Sequence, residues 1–376
     1  MEIRFTINFN NMENFWKKLK KPFFCLAPMS DVTDIAFRYI LAKYSKDRDN
    51  KDKIVFWTEF VAADGLCNKF AKKKLSHILK FSESERPIVA QVFGANPENM
   101  KKACQYIASL DFDGIDINMG CPDKSVISQG AGSALIKTPE LARQIIKSAH
   151  DGIKSAGKNI PVSVKTRIGF SPPSSKDFGR ASKEDCLLDE KWIKILLEEK
   201  LSAITIHLRT TKELSLVPAH WDLMKRIIKL RNKISPETLI IGNGDIIDLE
   251  DAKEKALKYG CDGIMIGRGV FGRPDFFSPC QGGVAEGRGG KNSNPLLIIP
   301  LTREEIKNKL LILIEHTQIF ERELLKPKHK NFSVMKKHFK AYVTGFSGAK
   351  ELRVKLMETE NSREVQKIIN DFLKKI

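Results

Sequence analysis

The sequence predicts a (β/α)8 barrel followed by a small helical domain. Eight short β-branched or apolar runs alternate with longer amphipathic segments over about 250 residues. Several of those runs also finish in polar or glycine-rich residues, which a barrel would gather on one face. A doubly wound open sheet is the rival, but no G-x-G-x-x-G opens the first helix. At 376 residues the chain suits one large α/β domain and something smaller.

The expected strands are 23–29, 54–60, 87–94, 114–120, 162–169, 203–209, 239–244 and 263–267. Segments of helical period lie between them at 97–110, 139–156, 190–200, 221–231 and 249–259. Residues 1–22 form an N-terminal extension to a barrel spanning 23–277. The stretch 171–189 is rich in Ser, Pro and charge and reads as an enlarged loop over the barrel mouth. A Gly-, Pro- and Asn-rich linker or insertion, 278–300, ends the barrel. Residues 301–376 are patterned as helices, the first opened by a capping box of Thr302 and Glu305 and carrying Leu310, Leu311, Leu313 and Ile314.

With 64 Lys and Arg against 46 Asp and Glu, the formal charge is +18. Such an excess concerns partners more than fold: a polyanion is the leading candidate, solvated lysine-rich faces the plain alternative. Residues 302–376 hold seventeen Lys or Arg against ten Asp or Glu. There the run 326–330 leads to Lys336, Lys337 and Lys340, interleaved with Phe339 and Tyr342. That pattern is either a surface for phosphates and bases or a solvated helix face with both aromatics in the core. Seven scattered cysteines without a C-x-x-C pair speak for a reducing compartment, and against a zinc site or disulfide framework. With no signal-peptide core and no run of eighteen apolar residues, a soluble, cytoplasmic protein is expected, without membrane or metal and acting as a monomer.

Chemistry concentrates at the strand ends. Cys121 stands where the strand 114–120 breaks into a loop. A lone cysteine is ordinarily inert core, but this one has Gly120 before it, Pro122 after it and the small-residue loop 129–133 beyond. A thiol so placed can act as proton donor or nucleophile. Asn243-Gly244-Asp245 and Gly267-Arg268-Gly269 end the last two strands, where barrels often hold a phosphate through loop amides. Lys165 and Arg167 alternate to one side of their strand, and His207 and Arg209 repeat the spacing on the next. One such pair suits a core ion pair. Two beside a phosphate site suit an electron-accepting ring, since a cation near a flavin pyrimidine stabilises the anionic reduced form.

In combination, Ala27 to Asp34, Ala90 to Gly94, Asp116 to Pro122, Val164 to Arg167, Ile206 to Thr210, Gly242 to Asp245 and Gly267 to Gly269 resemble the tRNA-dihydrouridine synthases, flavin enzymes that reduce uridine in tRNA. The resemblance implies that Pro28, Met29 and Ser30 lie under FMN. It implies ring and ribityl contacts from Gln91, Lys165 and His207, and a phosphate end at Asn243, Gly244, Asp245, Gly267 and Arg268. Cys121 matches the catalytic acid. NADPH would then reduce FMN, flavin N5 would give hydride to uracil C6, and Cys121 would protonate C5, as the polarity of an enone requires. Asn118, Arg167 and Arg209, with Lys336, Lys337 and Lys340 of a tRNA-gripping helical domain, are the implied substrate contacts. Leu208 stands where many relatives have Gly, and Pro218 to Trp221 is assigned a local structural role. The alternatives are an FMN-dependent reductase of a free pyrimidine or other small enone, and an RNA-binding protein on a barrel without flavin.

Overall fold

The computed structural model describes residues 14–45, 54–172, 187–277 and 301–376. The linker 278–300, most of the loop 171–189 and the first part of the N-terminal extension lie outside the described residues.

Among the described residues nine strands form: β1 (Phe23–Leu26), β2 (Ile54–Trp57), β3 (Val61–Ala62), β4 (Ile88–Phe93), β5 (Gly114–Met119), β6 (Val162–Arg167), β7 (Ala203–His207), β8 (Leu239–Asn243) and β9 (Gly263–Ile266). All pair in parallel, and the β2–β4 pairing closes eight of them into a ring, with β3 a two-residue edge on β4. The strands are buried on both faces: β1, β2 and β9 run without polar residues, whereas β5 and β6 alternate apolar residues that meet the helices with polar ones (Asp116, Asn118, Ser163, Lys165) that face the interior. The two faces sort by parity. Phe23, Cys25, Val55, Trp57, Val89, Ala203, Leu239, Ile241 and Met265 fill the barrel interior, while Phe24, Phe56, Ile88, Ile117, Val164, Ile206 and Ile264 meet the surrounding helices. Trp16, in the N-terminal extension, packs against Phe23 and Trp57 of the interior cluster.

The outer helices are α1 (Ile35–Ser45), α2 (Ala63–Cys67), α3 (Lys69–Leu75), α4 (Pro97–Ala108), α5 (Lys124–Ile127), α6 (Pro139–Ser155), α7 (Glu190–Glu198), α8 (Met224–Ile234) and α9 (Leu249–Tyr259). The expected strands stop one to three residues early, because their last residues turn outward to the rim. The helix expected at 221–231 starts as a tight turn, Trp221–Leu223, and runs on to Ile234. The helices α1, α2 and α3 were not anticipated; the first carries a buried Arg38 paired with Glu85 at 2.6 Å, a charge that interrupts its apolar stripe.

The C-terminal region is helical as expected: α10 (Arg303–Phe320), α11 (Met335–Tyr342), α12 (Ala349–Leu356) and α13 (Ser362–Leu373). Thr302 and Glu305 make the capping box, and Leu310, Leu313 and Ile314 are buried while Leu311 is 43% exposed. Its core is shared with the barrel, since Ala36 and Ile40 of α1 belong to the same buried cluster. Among the described residues no helix is long and apolar enough to cross a membrane, and no group of three His, Cys, Asp or Glu is placed to hold a metal ion.

Candidate active site at the C-terminal rim of the barrel

On the β4–β6 side, a chain of buried hydrogen bonds ends at Cys121. The Ser163 hydroxyl donates to Asp116 at 2.6 Å, Gln91 Nε2 donates to the other Asp116 oxygen at 2.7 Å, and Asn118 Nδ2 donates to Gln91 Oε1 at 3.0 Å. Asn118 Oδ1 in turn accepts the backbone N–H groups of Gly120 and Cys121, at 3.1 and 2.9 Å. That turn fixes where the strand ends and how Cys121 leaves it. Ser133 holds the Cys121 carbonyl by both hydroxyl and N–H. Gly132, at φ +60°, closes the loop so tightly that a Cβ there would lie 2.9 Å from the Cys121 oxygen. The thiol is half-buried against Phe93, Val126 and Ala131. Burial pushes its pKa up, while the Asp123 N–H and the cations Lys165 and Arg167 pull the other way. The group therefore keeps its proton at neutral pH.

The β6–β9 side is cationic. Register aligns Arg167, His207 and Asn243 in one row and Asn118, Lys165 and Thr205 in another. Lys165 Nζ reaches the neutral amide oxygen of Asn243 at 3.3 Å, and burial with Arg167 nearby lowers its pKa to about 8. Arg209 Nη1 lies 3.1 Å from His207 Nε2. A guanidinium can only donate, so this nitrogen accepts and the ring proton sits on Nδ1. Burial and then Arg167, Lys165, Arg209 and Arg268 keep His207 neutral, its pKa well below the ordinary value. Asp245 accepts from Arg209 and from the Ala219 N–H at 2.9 Å, with Arg268 3.4 Å away. Although burial opposes it, those donors hold the carboxyl below its usual pKa. Gly244 sits at φ +135°, where a Cβ would come within 2.7 Å of Ala219; its carbonyl accepts from Trp221 Nε1 at 2.9 Å. Pro218 to Trp221 is thus the brace of the β8 turn, and Leu208, fully buried, belongs to the core.

These residues fit a phosphorylated, electron-accepting group. Arg209 and Arg268 both reach one rim carboxylate, Asp245; the Lys165 ammonium hydrogen-bonds a neutral amide, with the Asp116 charge acting on it from inside the barrel; and the Thr205 hydroxyl is buried without a partner. Met29 and Gly267 stand close together, since a Cβ on Gly267 would lie 3.7 Å from Met29 Sδ. Pro28 is half-buried, whereas Ser30 and Arg268 are exposed at the rim. Arg167 is more of a brace than the sequence suggests: it donates to the carbonyls of Gly120 (2.8 Å), Thr210 and Leu214 (both 3.0 Å).

Other expectations need correcting. Phe339 and Tyr342 are fully buried, so the aromatics of the basic–aromatic run have no face for a base; Lys336, Lys337 and Lys340 are exposed on the opposite side of α11. Lys330, from the basic run 326–330, is not a surface cation. It is 8% exposed and bridges to Glu59 at 2.8 Å, Asp31 at 3.2 Å and Asp34 at 3.8 Å, tying the helical region to the ends of β1 and β2. Glu59 also accepts the Asp31 N–H. Sequence reasoning missed Asp116 and Glu59. Asp116 has a signal, an acid at interior parity within a strand; Glu59 has none, because its partner lies 271 residues away.

The ring of parallel strands, the cation-rich rim and the half-buried thiol define the class: a parallel β/α barrel whose candidate site lies at the C-terminal ends of its strands. The dihydrouridine synthase (Dus) family model matches residues 25–376, and the chain belongs to that family. It is 36% identical over 365 residues to "Probable tRNA-dihydrouridine synthase 2" of Bacillus subtilis (strain 168), covering 96% of this chain and 98% of that protein. It is 37% identical over 363 residues to "Probable tRNA-dihydrouridine synthase" of Staphylococcus aureus (strain COL) and 38% identical over 363 residues to the Staphylococcus epidermidis (strain RP62A) protein of that name. Each of these alignments covers 96% of both chains.

Proposed function

We propose that this chain is a cytoplasmic tRNA-dihydrouridine synthase that reduces the C5=C6 bond of uridine in tRNA, with FMN as its flavin and NADPH as the electron donor. The observation that carries the reading is the pairing, on one rim, of the Cys121 thiol, whose backbone N–H is held by Asn118, with the cation cluster of Lys165, Arg209 and Arg268 around His207. When bound, FMN supplies the hydride that adds to C6 of the uracil. Asn243, Gly244, Gly267 and Arg268, with the backbone N–H of Asp245, would hold its phosphate end, Gln91, Lys165 and His207 would contact its ring and ribityl chain, and Pro28, Met29 and Ser30 would support it from the end of β1.

Cys121 Sγ holds the proton that goes to C5 of an extruded base. Phe93, Val126 and Ala131 keep water from the thiol, and Asn118 fixes its direction of approach. Lys336, Lys337 and Lys340, on the solvent side of α11, contact RNA phosphates.

Mass spectrometry of tRNA nucleosides from cells with and without the gene tests this reading. Loss of dihydrouridine at a defined tRNA position on deletion is expected, together with a yellow purified protein that reduces tRNA with NADPH. Unchanged dihydrouridine, or reduction of free uridine as fast as tRNA, would sink it. Removing 302–376 is a poor test, because it uncovers the core shared with α1.

A further inference from the structure

Helix α3, Lys69–Leu75, follows the β3 edge of the rim and buries none of its seven residues. A helix that short does not hold itself together in water. It is held from outside: Asn68 Oδ1 accepts the N–H groups of Phe70 and Ala71, both at 3.0 Å, and Lys72 Nζ lies 3.2 Å from the Tyr106 ring centroid. The side chain left outward is Phe70, 82% exposed and the one aromatic among the large apolar side chains that the described residues expose.

A lone exposed apolar residue is ordinary on a protein surface. What sets Phe70 apart is its setting. Lys69, Lys73 and Lys74 are exposed around it, and no acidic residue occurs between 69 and 75. Asp64, the nearest acid before the helix, accepts from Asn99 Nδ2 at 2.7 Å. Along the chain the helix falls between two segments that touch the machinery. Upstream, Phe60 and Ala62 pack into the small cluster that holds Cys121; downstream, His77 stacks on His329 of the helical region with 4.7 Å between centroids.

We propose that α3 is a second tRNA-binding element, carried by the barrel itself, in which Phe70 stacks on an unpaired base and Lys69, Lys73 and Lys74 contact the neighbouring phosphates. The proposal rests on the tRNA reading above. A flat ring among cations, on a helix that itself carries no acid, matches single-stranded nucleic acid, where stacking supplies contact with any base and lysine supplies the charge. A loop or extruded stretch of tRNA offers both at once.

The test uses the full-length flavin-loaded enzyme and an unmodified tRNA transcript. Phe70→Ala is expected to raise KM for tRNA about fivefold or more while Phe70→Trp keeps it low, as base–aromatic stacking requires. Lys69→Ala/Lys73→Ala/Lys74→Ala should lower the slope of log affinity against log salt by about two to three. Lys72, which packs on Tyr106, is left in place. In both variants kcat, flavin content and Tm should match the wild type, since Lys69, Phe70, Lys73 and Lys74 are exposed and the part of α3 that packs on the core, Leu75, is left in place. If the wild type reduces tRNA and the variants keep its KM and salt slope, α3 is not a tRNA element. A change in mass by light scattering without a change in KM would likewise overturn the proposal in favour of self-association. A wild type inactive on tRNA overturns the functional reading, and this inference with it.

Discussion

At the barrel rim, His207 is ringed by Lys165, Arg167, Arg209 and Arg268 and accepts a hydrogen bond from one of them. In the helical region, His316 and His338 are sealed among Phe37, Phe271 and Tyr342, and neither ring nitrogen of either has a partner. The same residue type is a tool in one place and filler in the other. Strand period two, ending at an open mouth, turns alternate side chains toward a space that a ligand can fill. Helix period 3.6 sends 335, 338, 339 and 342 to one side and 336, 337 and 340 to the other. A string that looks mixed in sequence is therefore sorted into an apolar face and a charged one. Charges at the rim act on one another through several close contacts, whereas burial dominates for the histidines of the helical core.

The sharpest way to break this contrast is at Cys121. Cys121→Ala should slow uridine reduction by about 10²- to 10⁴-fold, the usual worth of a positioned acid, while flavin absorbance stays as in the wild type. Because burial raises the thiol pKa and the acid must be protonated, the wild-type rate should stay level through neutral pH and fall only on the alkaline side. A single-turnover rate equal to wild type would make Cys121 inert filler, like the buried Cys104.

Next in size is Lys330→Met, which leaves Glu59, Asp31 and Asp34 facing one another without their cation. Breaking a buried pair from one side costs about 3–5 kcal/mol, to be read as a lower Tm with flavin bound. Burial, with Glu59 adding to it and Lys330 opposing, already raises Asp34 to about 6. A group whose folded pKa is raised binds its proton more tightly when folded, so stability rises as pH falls from about 6 toward the ordinary carboxyl value. Acid should therefore restore part of the loss in Lys330→Met. An unchanged Tm would mean that the two regions are joined by their apolar contacts alone.

The smallest effect concerns the sealed histidines. Burial lowers His316 to about 3 and His338 well below its ordinary value, so the unfolded chain takes up protons below about 6.5 that the folded chain refuses. Stability is fully present above that pH and is lost as pH falls toward 3, by up to ~1.4 kcal/mol per pH unit for each ring. Thermal melts of His316→Phe between pH 7 and 5 should show a shallower loss than the wild type. A parallel pair of curves would place the acid sensitivity elsewhere.

How much was legible varies with how local the cause is. The eight barrel strands, the α9 boundaries and the Thr302 capping box are written in short stretches, and each forms at its expected place, the strands ending one to three residues early. The rim residues from Cys121 to Arg268 were legible because their motifs sit at strand ends, and a closed barrel leaves those ends only one face to share. The helix α1 was not anticipated, since its buried Arg38 answers to Glu85, 47 residues on, and breaks the apolar stripe. The stacking role for Phe339 and Tyr342 failed for a related reason: sequence shows that cations and aromatics interleave, and only packing shows which side faces inward.

By itself, then, the sequence determined the alternation that makes a barrel, the strand-end motifs and the excess of positive charge, because these depend on periodicity and composition. Tertiary structure alone decided that Lys330 is a buried bridge, that Arg167 braces the Gly120 turn and that Asp116 anchors the chain of bonds to Cys121. It also decided that α3 is left with Phe70 in solvent. Each of those outcomes depends on which groups distant in the chain meet after closure, and on whether water remains between them.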